Sequence, residues 1–510
     1  MAFFRDFLLS IAISLFLTTL CYAGDPTVYL NWEVKYITVA PLGVKQQVIA
    51  INKEFPGPIV NVTTNNNVVA NIINGLDEPL LITWNGIQMR RNSWQDGVLV
   101  KDQIGSFYYF PSTNFQSASG GYGGIIVNNR AVISIPFDEP YGDITMLIGD
   151  WYIRNHTSLR RSLNDGKHLG MPDGVLINGK GPYQYNSTFV PDGIDHASFK
   201  VEPEGGYTVQ QNYTNLDIHV GQSYSFLVTM DQNASSDYYI VASPRFVNET
   251  VWQRVTGVGI LHYSNSKGKA SGPLPLGPQD ENDKTYSMNQ ARSIRWNVSA
   301  SGARPNPQGS FKYGGINVTQ VYVLKNKPPV TIKGKQRTTL NGISYVNPDT
   351  PLRLADEYKV KGVYTLDFPD KPLTGASRMA SSVINGTYRG FMEVVLQNND
   401  TKVQSYHLDG YAFFVVGMDY GDWTENSRGT YNKWDGVARS TIQVFPGAWT
   451  SILISLDNVG FWNLRTANLD SWYLGQETYI RIVNPEATNE TELARPENSI
   501  FCGALKHKQQ

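Results

Sequence analysis

The amino-acid sequence predicts an all-β protein built from consecutive β-sandwich domains, and three observations carry this prediction. Short runs of β-branched and aromatic residues recur at close spacing and are interrupted by Gly, Pro, Asn and Asp, as is typical of sandwiches. The 46 glycines and 27 prolines argue against long helices. The chain of 510 residues, 41% of them hydrophobic, is longer than one ordinary core accommodates, so several domains are expected.

Five apolar runs are the clearest strand candidates, and one segment is a helix candidate. The strand candidates are residues 68–73, 124–127, 144–148, 238–242 and 413–416. No segment keeps a helical period over more than a few turns, but residues 468–475 predict one short helix.

An internal repeat indicates that similar domains were duplicated along the chain. Residues 221–232 match residues 447–458, with glycine, serine, leucine and aspartate in register, and each copy predicts a turn glycine followed by a strand. A Pro/Gly-rich segment, residues 271–278, cannot run through a sheet interior and marks a connector. We therefore divide the chain into a leader (1–23), a first domain (24–129), a second domain (130–264), a connector (265–309) and a third domain (310–510).

The charge balance argues against nucleic acid as a partner. The chain has 43 Lys and Arg against 44 Asp and Glu, a formal net charge of -1. Such a chain has no net basic field that would release counterions from a phosphate backbone.

The N-terminus predicts a secretory leader. Arg5 precedes an apolar run that reaches Leu20, and Ala23 follows as the small residue before a cleavage site. The alternative is a membrane anchor, but the 17 residues from Phe7 to Ala23 are at the short end for crossing a bilayer. The C-terminus is polar, so we expect no lipid-anchor signal there. The leader predicts an extracellular location.

Eleven Asn-x-Ser/Thr sequons support secretion and predict a glycoprotein with N-linked glycans. The alternative is that asparagine is simply abundant in this chain. The acceptor residues are Asn61, Asn155, Asn186, Asn212, Asn233, Asn248, Asn297, Asn317, Asn385, Asn399 and Asn489.

The mature chain is expected to keep one cysteine, Cys502, because Cys21 lies in the leader. A single thiol in a secreted protein leaves three interpretations. Cys502 is buried and inert, or it pairs between two chains, or the chain has lost the segment that carried its partner.

Several segments resemble the copper-binding blocks of the multicopper oxidases, the family that includes ascorbate oxidase and laccase, and the resemblance covers nearly the whole mature chain. Residues 92–97 and 102–106 resemble more narrowly the plant skewed-growth and pollen-specific branch, whose members are similar to ascorbate oxidase without its copper centres. The resemblance implies three cupredoxin-like Greek-key sandwiches. The segments with the family framework are 55–58 (FPGP), 83–86 (TWNG), 94–97 (WQDG), 105–112 (GSFYYFPS), 116, 120–124 (GGYGG) and 404–410 (QSYHLDG).

The residues at the family's ligand positions imply that copper is not bound. Copper sites use imidazoles, and a blue site adds a thiolate and a weak axial ligand. Of ten histidine positions only His407 is retained, and a site formed by His407 with Asp409 would be weak and adventitious. We therefore expect no cofactor and no catalytic residue. The replaced ligand positions hold Thr83, Asn85, Phe110, Ser112, Gln404, Asp409, Arg465, Thr466, Ala467, Ser471 and Gln476.

Two departures from the branch predict shortened domains. The relatives carry an additional segment between Leu99 and Val100, with a cysteine that the resemblance implies to be the partner of Cys502. They carry a second one between Pro203 and Glu204. The first two domains are therefore expected to lack strands and to expose sheet edges and apolar faces.

The resemblance implies a non-catalytic, secreted glycoprotein of the plant cell wall or apoplast that acts in directional growth or pollen-tube growth. Its expected partners are cell-wall polysaccharides or wall proteins, and the aromatic run from Phe107 to Phe110 is a candidate sugar-stacking surface. Because neighbouring strand residues face opposite sides, at least half of that run is expected in the core. The alternative is a copper-dependent oxidoreductase with oxygen as acceptor. A serine hydrolase is disfavoured because the chain has no Gly-x-Ser-x-Gly elbow.

Overall fold

The computed structural model describes residues 25–94, 103–181, 199–203, 207–247, 255–275, 277–278, 280, 282–297, 316–488 and 491–509. Most regular structure consists of β-strands, with a few short helices, so the all-β prediction is confirmed. The predicted leader lies outside the described residues. Among those residues, no helix has the length and apolar character needed to cross a membrane.

The first part of the chain forms two sheets with strand orders β2-β1-β4 and β3-β7-β6-β5. Their inner faces enclose a buried aromatic cluster in which Trp32 packs against Trp84 and Tyr109, with ring centroids 5.4 and 4.5 Å away. The buried and exposed residues of β3 alternate, as expected for a strand with one face on a core. The strands are β1 (Thr27–Val39), β2 (Gln46–Ile51), β3 (Val60–Thr63), β4 (Asn67–Asn74), β5 (Ile82–Asn85), β6 (Gly105–Pro111) and β7 (Gly123–Asn128).

The middle part contains three small described sheets, ordered β11-β10-β12, β13-β14 and β8-β9. No described side chain of β12 or β13 is fully buried, and Ile260 on β14 is 60% exposed. The described strands of this part thus expose apolar side chains, whereas the expected loss of strands stays a prediction. The elements are β8 (Ile148–Trp151), α1 (His156–Asn164), β9 (Gly174–Ile177), β10 (Phe199–Pro203), β11 (Asn212–Tyr213), β12 (Tyr224–Val228), β13 (Tyr238–Ala242), β14 (Gly257–Leu261) and α2 (Lys284–Ser293).

The last part forms a full sandwich of two five-stranded sheets, ordered β15-β21-β26-β23-β24 and β20-β28-β27-β22-β25. Every residue of β26 and of β22 is buried, because these strands lie inside their sheets and between packed faces. The elements are β15 (Val318–Asn326), β16 (Val330–Ile332), β17 (Lys335–Arg337), β18 (Ile343–Tyr345), α3 (Leu352–Glu357), β19 (Arg378–Ala380), β20 (Val383–Gly386), β21 (Phe391–Asn398), β22 (Gln404–Leu408), β23 (Phe413–Tyr420), β24 (Ala438–Arg439), β25 (Thr441–Val444), β26 (Ala448–Ser455), β27 (Gly460–Thr466), α4 (Leu469–Tyr473) and β28 (Glu477–Ile482).

The predicted repeat corresponds to two equivalent strand starts. Gly221 and Gly447 both have positive φ, 82° and 69°, and precede β12 and β26 respectively. This left-handed conformation favours glycine, so the turn assigned to each copy is confirmed.

Four of the five strand candidates coincide with strands, namely β4, β7, β13 and β23. The candidate at 144–148 is largely wrong, because only Ile148 belongs to β8 and the preceding residues have no regular structure. The short helix α4 lies within the predicted segment 468–475, whereas α1 and α2 were not predicted. Helix α1 is capped by Asn155, whose side chain accepts a hydrogen bond from the Ser158 N–H group, and α2 lies inside the predicted connector.

Candidate functional site

The replaced ligand positions come together where the first and last sheets of the chain meet. Thr83 and Asn85 lie on β5, and Phe110 lies on β6, which pairs with β5. His407 on β22 is directly opposite Arg465 on β27. The ligand positions transferred by resemblance therefore share one region of the fold.

Arg465 occupies the centre of this region and is 2% exposed. Its Nη1 atom donates to Asp409 Oδ2 at 2.6 Å, and its Nη2 atom donates to Asn85 Oδ1 at 3.1 Å. The guanidinium also lies 4.6 Å from the centroid of the Trp472 ring. The buried charge is thus compensated by a carboxylate, an amide and a ring, and the bond to Asn85 joins β27 to β5.

His407 is buried and supports the same carboxylate. Its Nε2 atom lies 2.9 Å from Asp409 Oδ1, and its Nδ1 atom lies 2.8 Å from Thr441 Oγ1. Burial alone would raise the pKa of Asp409, but the Arg465 guanidinium and the hydrogen bond with His407 outweigh it and lower the pKa to about 2. Asp409 is therefore a carboxylate at any physiological pH.

A second, uncharged cluster contains further residues that the resemblance places at ligand positions, including Thr466 at the thiolate position and Gln476 at the axial position. Gln404 Oε1 accepts hydrogen bonds from Thr466 Oγ1 and from Gln476 Nε2, both at 3.0 Å. Gln476 Nε2 also donates to the Tyr406 hydroxyl at 2.9 Å. The backbone carbonyl of Ser471 accepts from Thr338 Oγ1 at 2.6 Å. Amides and hydroxyls thus bond to one another where a blue site would need a thiolate and two imidazoles.

The remaining replaced positions are also tied into the protein. Thr83 Oγ1 donates to Ser112 Oγ at 2.9 Å. The Phe110 ring packs edge-on against Trp472, with centroids 6.2 Å apart. The backbone N–H of Ala467 donates to the Ser405 carbonyl at 2.7 Å.

These residues do not fit the copper centres of the family. The place of several imidazoles is taken by one imidazole and a guanidinium, which has no lone pair for a metal ion and whose positive charge disfavours a cation beside it. Within the described part of the chain, no group of three or more His, Cys, Asp and Glu side chains is placed to hold a metal ion.

Sequence reasoning missed two polar residues of the site, Asn463 and Glu477. Glu477 Oε2 accepts from Trp472 Nε1 and Asn463 Nδ2, both at 2.8 Å. Burial raises the pKa of the Glu477 carboxyl. A period of two could have indicated Asn463, because it lies two residues before Arg465 on β27. Glu477 is opposite Arg465 in the β27–β28 pair, a relationship that requires the sheet register.

The other predicted site residues lie apart from this region. Of the glycosylation candidates in described segments, seven are exposed and Asn297 is partly buried, whereas Asn186, Asn248 and Asn489 lie outside the described residues. Cys502 is a partly buried free thiol in the C-terminal segment. The exposed candidates are Asn61, Asn155, Asn212, Asn233, Asn317, Asn385 and Asn399.

Comparison with known proteins identifies relatives along the whole chain. Three family models described as multicopper oxidase match residues 33–100, residues 142–209 with 195–266, and residues 349–488. The monocopper oxidase-like protein SKU5 of Arabidopsis thaliana is 69% identical, over 96% of this chain and 92% of that protein. The L-ascorbate oxidase of Cucurbita maxima is 26% identical, over 86% of this chain and 87% of that protein.

Solved structures share the fold at low sequence identity. The multicopper oxidase Fet3p, which functions in iron import, superposes with a TM-score of 0.69 at 18% identity, covering 89% of this chain and 90% of its own. The laccase from Botrytis aclada gives a TM-score of 0.67 at 18% identity, covering 89% and 88%. The expected cupredoxin-like architecture is thereby confirmed.

The relatives also carry residues that this chain lacks. The alignment with the monocopper oxidase-like protein SKS2 of Arabidopsis thaliana, 59% identical, extends over 557 positions and covers all 510 residues of this chain and 93% of that protein. The alignment is longer than this chain because that protein has residues without a counterpart here. Their location at the two junctions, Leu99/Val100 and Pro203/Glu204, stays a prediction. With matches of this identity along nearly its full length, the chain belongs to the multicopper oxidase family.

Proposed function

We propose that this protein is a secreted, non-catalytic multicopper-oxidase-like glycoprotein of the plant cell wall or apoplast, acting in directional growth or pollen-tube growth. One observation carries the non-catalytic part of the proposal. The guanidinium of Arg465 lies among former ligand positions, and its partners Asp409 and Asn85 are themselves at two of them.

The chemistry of this arrangement argues against electron transfer to oxygen. An oxidase of this family needs several copper ions held by convergent imidazoles. Here His407 is engaged with Asp409 and Thr441, and the remaining polar groups of the site are amides, hydroxyls, the Glu477 carboxyl group and the guanidinium. We therefore assign a structural role to the site, in which its residues hold the Arg465–Asp409 ion pair.

Secretion is supported by the apolar leader and by the exposed sequons. Seven acceptor asparagines in described segments are exposed, so a glycan attached there would extend into water without displacing core residues. Wall polysaccharides or wall proteins are the partners that we propose for a glycosylated protein in this compartment.

The alternative function is a copper-dependent oxidoreductase that uses oxygen as acceptor. The similarity to L-ascorbate oxidases at 26% identity favours it, but the ligand positions do not. It would require copper to bind beside the guanidinium of Arg465.

Copper content and oxygen uptake distinguish the two functions. Purified mature protein, loaded with copper and then dialysed, is expected to hold far less than about one copper per chain and to lack the thiolate-to-copper absorption band. It is also expected to take up no oxygen with ascorbate or phenols, whereas an L-ascorbate oxidase treated in parallel would show all three signals. About three or four tightly held copper ions with oxygen uptake would overturn the proposal.

A further inference from the structure

A cavity of about 2530 Å³ extends from the replaced metal site and is lined by residues of the first, middle and last parts of the chain. We propose that its inner end, beside Tyr108 and Trp472, binds a sugar ring of a neutral glycan. The inference rests on the proposed extracellular function and identifies a ligand class for the same region.

The inner end of the cavity has an aromatic wall. Phe107, Tyr109 and Phe110 are buried, whereas Tyr108 is partly exposed, and the alternation along β6 directs Tyr108 and Phe110 to the same side of the sheet. Phe107, Tyr108 and Phe110 all line the cavity. The rings of Tyr108 and Phe110 are stacked, with centroids 5.5 Å apart, and Phe110 contacts Trp472. Three of the four residues in the predicted aromatic run are thus buried, and Tyr108 is the one with a partly exposed ring.

The wall is held rigid by polar contacts behind it. The guanidinium of Arg465 lies 4.6 Å from the Trp472 ring centroid, and the indole N–H of Trp472 donates to Glu477. Ser106 Oγ lies 2.9 Å from Ser225 Oγ and thereby joins β6 to β12. A fixed aromatic surface loses little conformational entropy when a flat ring stacks on it.

The charges of the cavity favour a neutral ligand with many hydroxyl groups. Among the described residues that line it, seven are aspartates and four are lysines or arginines. The excess of carboxylates repels polyanions such as uronate chains, whereas sugar hydroxyls can donate charge-assisted hydrogen bonds to carboxylates. A simple phenol would stack on the same rings but has one hydroxyl group to donate.

Arg465 does not convert the inner end into an anion site. Its Nη1 atom donates to Asp409 and its Nη2 atom donates to Asn85. A carboxylate ligand would therefore have to displace a buried partner of the guanidinium, at a cost that sugar hydroxyls avoid.

The test compares neutral and acidic oligosaccharides of equal length on the full mature glycoprotein. Cellohexaose, mannohexaose, xylohexaose and hexagalacturonic acid are titrated by calorimetry and by tryptophan fluorescence, with coniferyl alcohol as the phenol. We expect at least one neutral hexaose to bind and hexagalacturonic acid to bind at least tenfold more weakly. Tighter binding of the acidic oligomer, binding of the phenol alone, or no binding of any neutral hexaose would overturn the inference.

Matched variants locate the binding site. Tyr108→Leu keeps an apolar side chain of similar bulk without a ring and is expected to weaken binding about five- to tenfold. Trp434→Ala removes an aromatic ring that is 83% exposed and outside the cavity lining, and it should leave the affinity unchanged. Thermal unfolding of both variants shows whether they fold, and equal affinity of wild type and a folded Tyr108→Leu variant would contradict the assignment. Copper content measured on the same samples tests the proposed function separately, because a copper-free protein that binds no glycan would fail only this inference.

Discussion

Arg465 Nη1 and Asp409 Oδ2 lie 2.6 Å apart, at two positions that the resemblance to the family assigns to metal ligands. Arg465 is buried, and Asp409 is partly buried. An ion pair of this kind contributes little net stability compared with apolar residues, but breaking it leaves an uncompensated buried charge. The pair therefore determines how the protein responds to substitution and to acid.

Replacement of Asp409 by asparagine should destabilise the protein strongly. The Asp409→Asn variant keeps the shape of the side chain but leaves the Arg465 guanidinium without its carboxylate, so the free energy of unfolding should fall by about 3 kcal/mol. Urea unfolding followed by fluorescence measures this change. The matched control is Asp165→Asn, which disrupts an exposed pair with Lys167 at 3.5 Å and should cost less than about 1 kcal/mol.

The same pair should show strong coupling in a double-mutant cycle. Arg465→Met alone removes the cation, and the double variant Asp409→Asn/Arg465→Met removes both charges. The double variant should therefore be more stable than the sum of the two single effects predicts, by about 2 kcal/mol. Additive effects of the two substitutions would show that the coupling free energy between Arg465 and Asp409 is close to zero.

Acid should destabilise the wild type through Asp409. Its pKa is lowered to about 2 in the folded protein, below the usual value of about 3.9 for an unfolded chain. The unfolded state therefore binds the proton first, and the stabilisation is present above about pH 4 and is lost as the pH falls toward 2. Between pH 5 and pH 2 the free energy of unfolding should fall more steeply for the wild type than for the Asp409→Asn variant. The same pH dependence in both proteins would contradict this prediction.

Glu477 should have the opposite pH dependence. Burial raises its pKa, so the unfolded state loses its proton at a lower pH than the folded state does. The buried Glu477 carboxyl group therefore lowers the stability of the folded protein as the pH rises above about 4.3, the pKa of a glutamate in the unfolded chain. Glu477→Gln keeps an oxygen that can accept hydrogen bonds from Trp472 and Asn463. Because the amide does not ionise, this variant should lack the pH-dependent loss of stability. The stability difference between this variant and the wild type should therefore favour the variant more at pH 7 than at pH 4.

Cys502 should be free in the mature protein or joined to a second molecule. It is a free thiol in the described C-terminal segment, and the other cysteine of the chain lies in the predicted leader. Thiol labelling under denaturing conditions should modify one cysteine per chain, or non-reducing electrophoresis should show a disulfide-linked dimer. An intramolecular disulfide would show that Cys21 is retained in the mature protein.

The sequence predicted the sandwich architecture because apolar alternation and turn residues are local signals. The turn before β12 and the helix α4 could be located in the same way, from Gly221 and from the segment that starts at Asn468. Helix α1 was missed because its buried side comprises few apolar side chains, including Leu159 and Leu163. The preceding apolar residues at 144–147 read as a strand but pair with no described strand.

The candidate site was only partly accessible from the sequence. The ligand positions could be assigned by resemblance, and this assignment identified His407 and Asp409 as neighbouring candidates. The partners of Arg465 could not be deduced, because Asn85 lies 380 residues away in the chain and Glu477 becomes a neighbour only through the β27–β28 register. The sequence therefore indicated which ligand types are absent from these positions, whereas the structure was needed to identify the contacts that the present residues make.

The contact between Arg465 and Asn85 limits how copper binding could be built into this site. Replacement of Asn85 by histidine would remove a partner of the guanidinium without creating a copper site, since the cation would still occupy the region. Replacement of Arg465 by histidine would leave the Asp409 carboxylate partly buried without its guanidinium partner. Each of these single substitutions should therefore lower stability without completing a copper site, so several coordinated substitutions would be needed to build one here.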